Sequence, residues 1–454
     1  AIFNHRNFWD GRANNIFNGL DPFGKRTNQA DPDSGVWVLQ DDGTVTKQQI
    51  EIDNASLASQ AVGPPLSDFE MSCAGRTFAE LGRKLIDRAP LALQTVHRND
   101  SVLGKYRSRG GNSTGLRKTY ESYIRKAFQK KYWGAEGVVT DQDNDGIERG
   151  KMHGDRGQIG KQHKAKGHRD ERNDDSRHDS RGNERRHDGR DNHGPGGRDD
   201  RKGYSQMEAN FSLFFGLAVQ LYEATLVSDD SLFDQVQEGR ASFTPEQQLG
   251  LDVFMGKGKC ILCHEGSEFT GASVRLRANQ PDGNEESIER MPMGVGTAIY
   301  DGGYYNIGVS PTAEDLGVGA EDPYGNTLSF SRQAVNGPMV DSFNFHPERF
   351  PVPGPIIPGE RVSVDGAFKV PTIRNVELTG PFFHNGGQAS LEQVVDFYNR
   401  GGDRRSNANC TGNNSANGDT TGFGSECNNL DPDITQLGLS DTEKAALVAF
   451  MKSL

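Results

Sequence analysis

Residues 258–266 read GKCILCHEG, and no other stretch constrains the chain so strongly. Cys260, Cys263 and His264 spell C-x-x-C-H, the pattern of c-type haem attachment. The spacing follows from the chemistry. Two thiols form thioethers with the two vinyl groups of a porphyrin, and the adjoining imidazole is carried under the ring, where it binds iron as the proximal ligand. Two other uses of paired cysteines find less support. A thioredoxin-like redox pair calls for a βαβ setting, and a zinc site calls for a second close ligand pair. Cys410 and Cys427 lie far downstream and 17 positions apart.

At 454 residues the chain can bury a large core, and two or three domains are expected. A net charge of -12 and a pI near 5.5 leave no basic excess to neutralise phosphates, which excludes nucleic acid as the main partner. No run of about twenty apolar residues occurs, so no transmembrane segment is expected. The richest stretch, FSLFFGLAVQLYEATL from Phe211 to Leu226, carries Gln220 and Glu223 and reads as a buried core helix. Ala1 is not an initiator methionine, so a processed or truncated chain is expected. Covalent haem attachment takes place outside the bacterial cytoplasm, and the motif therefore implies a periplasmic or extracellular location, cell-surface association included. There Cys410 and Cys427, which bracket a Gly/Asn/Thr-rich loop, are expected to form a disulfide. Cys73 is left over, either free or paired with sequence outside this chain.

Apolar residues recur at helical spacing over 78–87, 120–131 and 207–224, and little before Lys257 alternates as strands do, so a mainly α fold is expected. Thr244, Pro245 and Glu246 make a helix start that delivers the chain to the haem motif. Ser440 with Glu443 is a capping signature for a last amphipathic helix. Long Gly/Pro/Asn-rich loops are expected between these two helices, chiefly over residues 276–370.

Between Glu136 and Gly203 the composition changes abruptly. The segment has no aromatic residue, sixteen basic and sixteen acidic side chains, and six of the chain's 11 histidines. It cannot bury enough apolar surface to offset its ordering entropy, so a solvated, disordered insertion is expected. Its opening DQDNDG places Asp141, Asp143 and Asp145 like the first half of a calcium loop, but Met152 stands where glutamate is needed; weak calcium binding and a plain acidic turn both fit. The histidine spacing is irregular, which favours solubility over metal binding.

Four stretches point one way. FWDGRANN (Phe8 to Asn15), QAVGPPLSDFEM (Gln60 to Met71), CILCH, and VPTIRNVELTGPFFHNGGQASLEQVVDFYNRGG (Val370 to Gly402) resemble the bacterial dihaem cytochrome c peroxidase superfamily, including its MauG-type branch. The resemblance covers most of the chain outside the insertion, and the last stretch is the most specific because of its length and order. It implies two cytochrome c-like helical haem domains: residues 1–235, a peroxidatic domain interrupted by the insertion at 136–203, and residues 236–454, holding the haem on Cys260 and Cys263. It also implies a calcium ion and a tryptophan between two haems. Only one C-x-x-C-H is present here, whereas the family has a first one ahead of the FWDGR stretch. The N-terminal part is therefore expected to be incomplete, its haem-binding segment being cleaved, unresolved or carried on another chain.

The resemblance also implies roles for single residues. Trp9 matches the inter-haem tryptophan, whose indole can carry an electron or hole between distant metals; the plainer reading is a buried aromatic. Glu70 matches the distal carboxylate that takes a proton from peroxide and returns one to the departing water, against a surface carboxylate after a loop. Gln60 and Pro64 match the wall of that pocket. Opposite His264 the usual branch places methionine, and here Tyr398 in VVDFYNRGG resembles the MauG-type branch. Tyrosinate is a harder, anionic ligand that stabilises ferric and higher states and lowers the potential; the alternative is a helix tyrosine that only packs. His346 and Met339 are the other candidates for that position. Thr379 and Pro381 fall where the family offers carbonyls to calcium, which needs further oxygen ligands from water and the outside segment. His384 in PFFHNG lies near the haem by resemblance, with no role assigned.

These readings imply a secreted dihaem enzyme that reacts with hydrogen peroxide, the haem on Cys260 and Cys263 storing or relaying electrons through Trp9. Its redox partner would be a small cytochrome, a copper protein or, as in the MauG-type branch, an amino-acid side chain on a protein substrate. The rival is an electron-transfer cytochrome whose six-coordinate haem never meets peroxide. A surface-associated binding protein acting through the charged insertion is a third reading, which deleting residues 136–203 would separate from the others.

Overall fold

Helices form where a side chain stands ready to cap them. Thr77, Ser205, Ser231, Thr244 and Ser440 each accept from the backbone NH three residues on, while Glu80, Glu208, Asp234, Gln247 and Glu443 reach back to the cap's own NH. Two orphan donors are satisfied at each start. The description is of a computed structural model and covers residues 3–110, 114–139, 203–277, 287–293, 297–336, 340, 360–403 and 429–454.

The N-terminal half contains α1 (Lys25–Ala30), β1 (Val36–Leu39), β2 (Val45–Gln48), α2 (Ser56–Ala61), α3 (Phe78–Leu85), α4 (Tyr120–Ala127), α5 (Gln206–Ala209) and α6 (Phe211–Glu223). The C-terminal half contains α7 (Leu232–Gln237), α8 (Pro245–Met255), α9 (Val274–Arg277), β3 (Ile288–Pro292), β4 (Thr297–Asp301), β5 (Tyr304–Tyr305), α10 (Phe330–Asn336), β6 (Phe368–Lys369), α11 (Leu391–Asn399) and α12 (Asp441–Met451). Helix outweighs strand among the described residues, so the mainly α expectation stands.

Three details differ from the sequence reading. A β1–β2 hairpin pairs Val36 with Gln48 and Leu39 with Val45, where few strands were expected. Its strands are too short to show alternation, and tertiary partners support them: Asn210 Nδ2 and Gln206 Nε2 donate to the Trp37 carbonyl at 2.7 and 2.9 Å, and Trp37 N donates to Asn210 Oδ1 at 2.9 Å. The loop-rich region 276–370 contains the antiparallel β3–β4 hairpin and the β5–β6 pair. Helix α6 buries Phe211, Leu213 and Phe214, but Leu221 is 65% exposed, so only its first half is core.

Apolar side chains gather in separate clusters. One unites Phe17, Val36, Val62, Phe211 and Phe214; another unites Val253, Phe254, Phe269, Val395, Leu447 and Phe450. A third joins Tyr300, Tyr304, Tyr305, Val318 and Val364. The first residues of the chain tie these together. His5 N donates to the Ala272 carbonyl (2.9 Å), Val274 N to Phe3 (2.7 Å) and Lys369 N to Trp9 (2.8 Å). On the other side Asn7 Nδ2 donates to Ser56 Oγ (3.0 Å), which donates to the Asn4 carbonyl (2.7 Å). Asp301, on β4, accepts from Arg6 at 2.8 Å, both side chains being buried.

Two outcomes are expected. Helices α8 and α12 approach so closely at Gly250 that an added Cβ would collide with the Ala446 carbonyl and the Phe450 side chain. Gly250→Ala should therefore lower thermal stability by roughly 1–3 kcal/mol through overpacking, measured by denaturant unfolding. Asp234 takes both Arg374 Nη groups at 2.9 Å, and those bonds hold its carboxyl below 3.8. Its stabilisation is then complete above the unfolded value and is lost as pH falls through the lower folded value. Asp234→Asn should flatten the acid limb of a stability-versus-pH curve.

Candidate functional site

The C-x-x-C-H turn is shaped by a chain reversal after α8. Gly258 N bonds back to the Val253 carbonyl at 2.7 Å, and Lys259 adopts the left-handed φ of 57°. Residues Cys260–Leu262 then form one 3-10 turn, closed by His264 N to the Cys260 carbonyl at 2.9 Å. Both thiols and the imidazole thus share a single turn. The loop that follows is stitched to the VPTIRN stretch. Thr270 Oγ1 donates to Val370 (2.6 Å), Thr372 Oγ1 to Glu268 (2.6 Å) and Arg374 Nε to Ser267 (2.7 Å), each at a backbone carbonyl.

Over this turn lies a cavity of about 350 Å3, lined by Trp9, Cys260, Cys263, His264, Tyr398 and apolar side chains that include Phe254, Val395 and Leu447. His264 Nδ1 lies 3.0 Å from the Phe269 carbonyl. A carbonyl only accepts, so Nδ1 holds the proton and Nε2 keeps its lone pair. Burial lowers the His264 pKa and favours that neutral form. Burial also pushes the Cys260 thiol up to about 12 and raises Cys263, with the Asp431 and Glu289 carboxylates adding to the effect. A redox C-x-x-C needs the opposite shift. Among the described residues no group of three His, Cys, Asp or Glu could hold a metal ion by itself.

Tyr398, on α11, is half-buried, and burial raises its phenol well above 10, ahead of the Cys263 and Cys260 neighbours. It stays protonated unless a cation binds its oxygen. Two thiols and a neutral imidazole on one turn, apolar walls, and a phenol on the same cavity fit a c-type haem.

Thr379, Pro381 and His384 line this cavity too. His384 stacks on Phe368 with ring centroids 3.6 Å apart and lies 6.4 Å from Trp9; its Nε2 meets Asp315 Oδ2 at 2.9 Å and Ser310 Oγ at 3.1 Å. Gln60, Pro64 and Glu70 are not brought into it. Gln60 lies in the last turn of α2, Pro64 opens a short turn, and Glu70 is exposed. Between Gln60 and Pro64, an added Cβ on Gly63 would press on the Phe8 ring, next to Trp9 in the sequence. Cys73 is free and exposed. His346, Met339, Cys410, Cys427 and the insertion's Asp141, Asp143, Asp145 and Met152 lie outside the described residues.

Sequence reasoning passed over Lys369 and Tyr305, which also line the cavity. Lys369 Nζ donates to Asn7 Oδ1 at 3.2 Å, and burial pulls its pKa down to about 8 despite Asp10 nearby. The available signal was a lysine inside the apolar run AFKVP.

The turn and its cavity fit a c-type haem site. Over 238 residues, 51% of this chain and 46% of the relative, the sequence is 30% identical to cytochrome-c peroxidase IdrP2 of Denitromonas iodatirespirans. Over 244 residues, 52% of this chain and 50% of the relative, it is 29% identical to methylamine utilization protein MauG of Paracoccus denitrificans. Over about half of its length the chain is thus similar to bacterial proteins named cytochrome-c peroxidase and MauG. It spans about half the length of the curated relatives it matches. No protein-family model matches it. Solved structures of a MauG-like protein associated with microbial copper homeostasis and of the diheme peroxidase BthA from Burkholderia thailandensis align at 22% and 19% identity. They cover 56% and 55% of this chain and 54% and 52% of their own, each with a TM-score of 0.32, a likeness too slight to bear on the fold.

Thioethers survive unfolding, so a haem stain should persist on a denaturing gel of the full chain and be lost in the Cys260→Ala/Cys263→Ala double variant. Release of all haem from the unaltered chain by acid-acetone extraction would refute covalent attachment.

Proposed function

We propose that this chain is part of a dihaem c-type peroxidase of MauG-like character, which reacts with hydrogen peroxide and draws electrons from a protein partner. The observation that carries the reading is the convergence of Cys260, Cys263, His264, Tyr398 and Trp9, from three distant stretches of sequence, on one apolar cavity. The sequence relationship to proteins named cytochrome-c peroxidase and MauG supports it.

A haem bound at Cys260 and Cys263 would supply a one-electron centre. His264, its ring fixed by the Phe269 carbonyl, would offer Nε2 to the iron. Tyr398 would offer its oxygen, and as a tyrosinate would favour the oxidised metal. Trp9, held by its backbone bond to Lys369, relays electrons towards a second haem carried outside this sequence. Glu70, with Gln60 and Pro64, manages protons at that second site. Thr379 and Pro381 offer carbonyls to calcium, and Tyr398 takes precedence over His346 and Met339 as the facing ligand. Residues 1–235 and 236–454 act as two haem domains, consistent with the separate apolar clusters of Phe211 and Phe450. No helix among the described residues is long and apolar enough to cross a membrane, and we assign the protein to the periplasm or cell exterior on the chemistry of haem attachment. The electron donor is a small cytochrome, a copper protein or a side chain of a protein substrate.

Absorption spectra with and without peroxide test this function: a haem spectrum that peroxide leaves unchanged would return the protein to pure electron transfer. With Tyr398 as ligand, the ferric haem should be six-coordinate and low spin. Tyr398→Phe should shift it towards high spin or recruit a substitute ligand, and Tyr398→Met should raise the reduction potential. An unchanged spectrum and potential in both variants would show that Tyr398 only packs.

A further inference from the structure

The β3–β4 hairpin places Glu289 directly across from Tyr300. The buried Tyr300 hydroxyl donates to Glu289 Oε2, and the other oxygen of that carboxylate accepts from the buried Arg277 guanidinium. The Tyr300 ring lies 5.6 Å, centroid to centroid, from Tyr305, which is itself buried and lines the haem cavity. A phenol with an anionic proton acceptor therefore stands one aromatic ring away from the cavity. A tyrosine–glutamate bond alone would be a structural tie. The intervening ring adds a route for an electron, and the carboxylate adds a destination for the proton.

We propose that Tyr300 is a redox-active residue that gives an electron to the haem cavity by way of Tyr305 and its phenol proton to Glu289. The inference rests on the peroxide-reactive reading above. In the step, Tyr300–OH and Glu289–COO⁻ become a neutral tyrosyl radical and Glu289–COOH. The O–H bond of the phenol breaks, and an O–H bond to Glu289 forms. The electron reduces by one equivalent the haem centre that the reduction of hydrogen peroxide to water has left electron-deficient. Oxidising a buried phenol without moving its proton would leave a cation in a low-dielectric site at high cost; transfer along an existing hydrogen bond avoids it. Arg277 is not stranded when Glu289 is neutralised, because Glu265 Oε1 stands 3.4 Å from its other nitrogen. Tyr300 thereby holds an oxidising equivalent away from the cavity.

The test uses the holoprotein carrying both haems, grown with ring-deuterated or ordinary tyrosine, mixed with hydrogen peroxide, freeze-quenched and followed by electron paramagnetic resonance and absorption in parallel. The expected result is a tyrosyl signal that narrows with the deuterated ring and is lost in Tyr300→Phe. It should also be lost in Glu289→Gln, whose amide oxygen still accepts the phenol's hydrogen bond but cannot take the proton. The Gln variant keeps the test decisive if Tyr300→Phe fails to fold. A haem spectrum that responds to peroxide with no tyrosyl signal, or with one undiminished in either variant, overturns this inference and leaves the proposed function standing. A haem spectrum that peroxide does not change overturns the proposed function and this inference with it.

Discussion

The buried ion pair between Arg6 and Asp301 is the constraint on which the rest of the site depends. Their side chains are 3% and 0% exposed, so both charges have left water, a loss that Coulomb attraction repays only with the support of further hydrogen bonds. Asp301 also accepts from Ser329 Oγ, Phe330 N and Ser331 N at 2.8 to 2.9 Å. Arg6 donates to the Leu328 carbonyl and lies 3.6 Å from the Phe330 ring centre. A second buried pair, Arg26 with Asp322 at 3.2 Å, converges on the same Leu328 carbonyl. The N-terminal segment is thus locked to the C-terminal half three residues before Trp9, and that lock sets Trp9 against the haem cavity.

Inside the cavity, burial pushes five groups towards their neutral forms. Cys260, Cys263 and Tyr398 are raised, whereas His264 and Lys369 are lowered. One physical cause, desolvation, leaves the thiols unsuited to disulfide exchange, the imidazole ready as a neutral donor and the phenol dependent on a cation for ionisation. The neutral imidazole and the phenol that ionises only on a cation suit the iron ligation proposed above. Trp9 and Tyr305 both lie on the wall of the same cavity.

Local signals carried far in this chain because the elements that matter have local causes. Cys260, Cys263 and His264 could be recognised from spacing alone, since thioether and iron bonds demand it. The helix over 78–87 could be placed from apolar spacing, and those after Thr244 and Ser440 from their start signals, because such caps satisfy backbone donors without outside help. The β1–β2 hairpin was hidden for the converse reason: Trp37 is supported by the side chains of Asn210 and Gln206, over 160 positions away. Lys369 and Tyr305 were hidden too, because no spacing rule marks a residue whose role comes from the wall it joins.

The sequence by itself determined the haem-attachment motif and the similarity to proteins named cytochrome-c peroxidase and MauG, because the C-x-x-C-H at Cys260 to His264 and the long stretch from Val370 to Gly402 are encoded within short windows. Only the tertiary structure decided which residues share the cavity. It brought Trp9, Tyr398 and His384 to the motif and left Glu70, Gln60 and Pro64 outside that cavity. It also set Tyr300 across from Glu289 in a hairpin that the glycine-rich sequence did not announce. Proximity between residues hundreds of positions apart arises from buried pairs such as Arg6 with Asp301 and from close helix contacts such as Gly250 with Ala446, whose energies exist only once both partners have left water together.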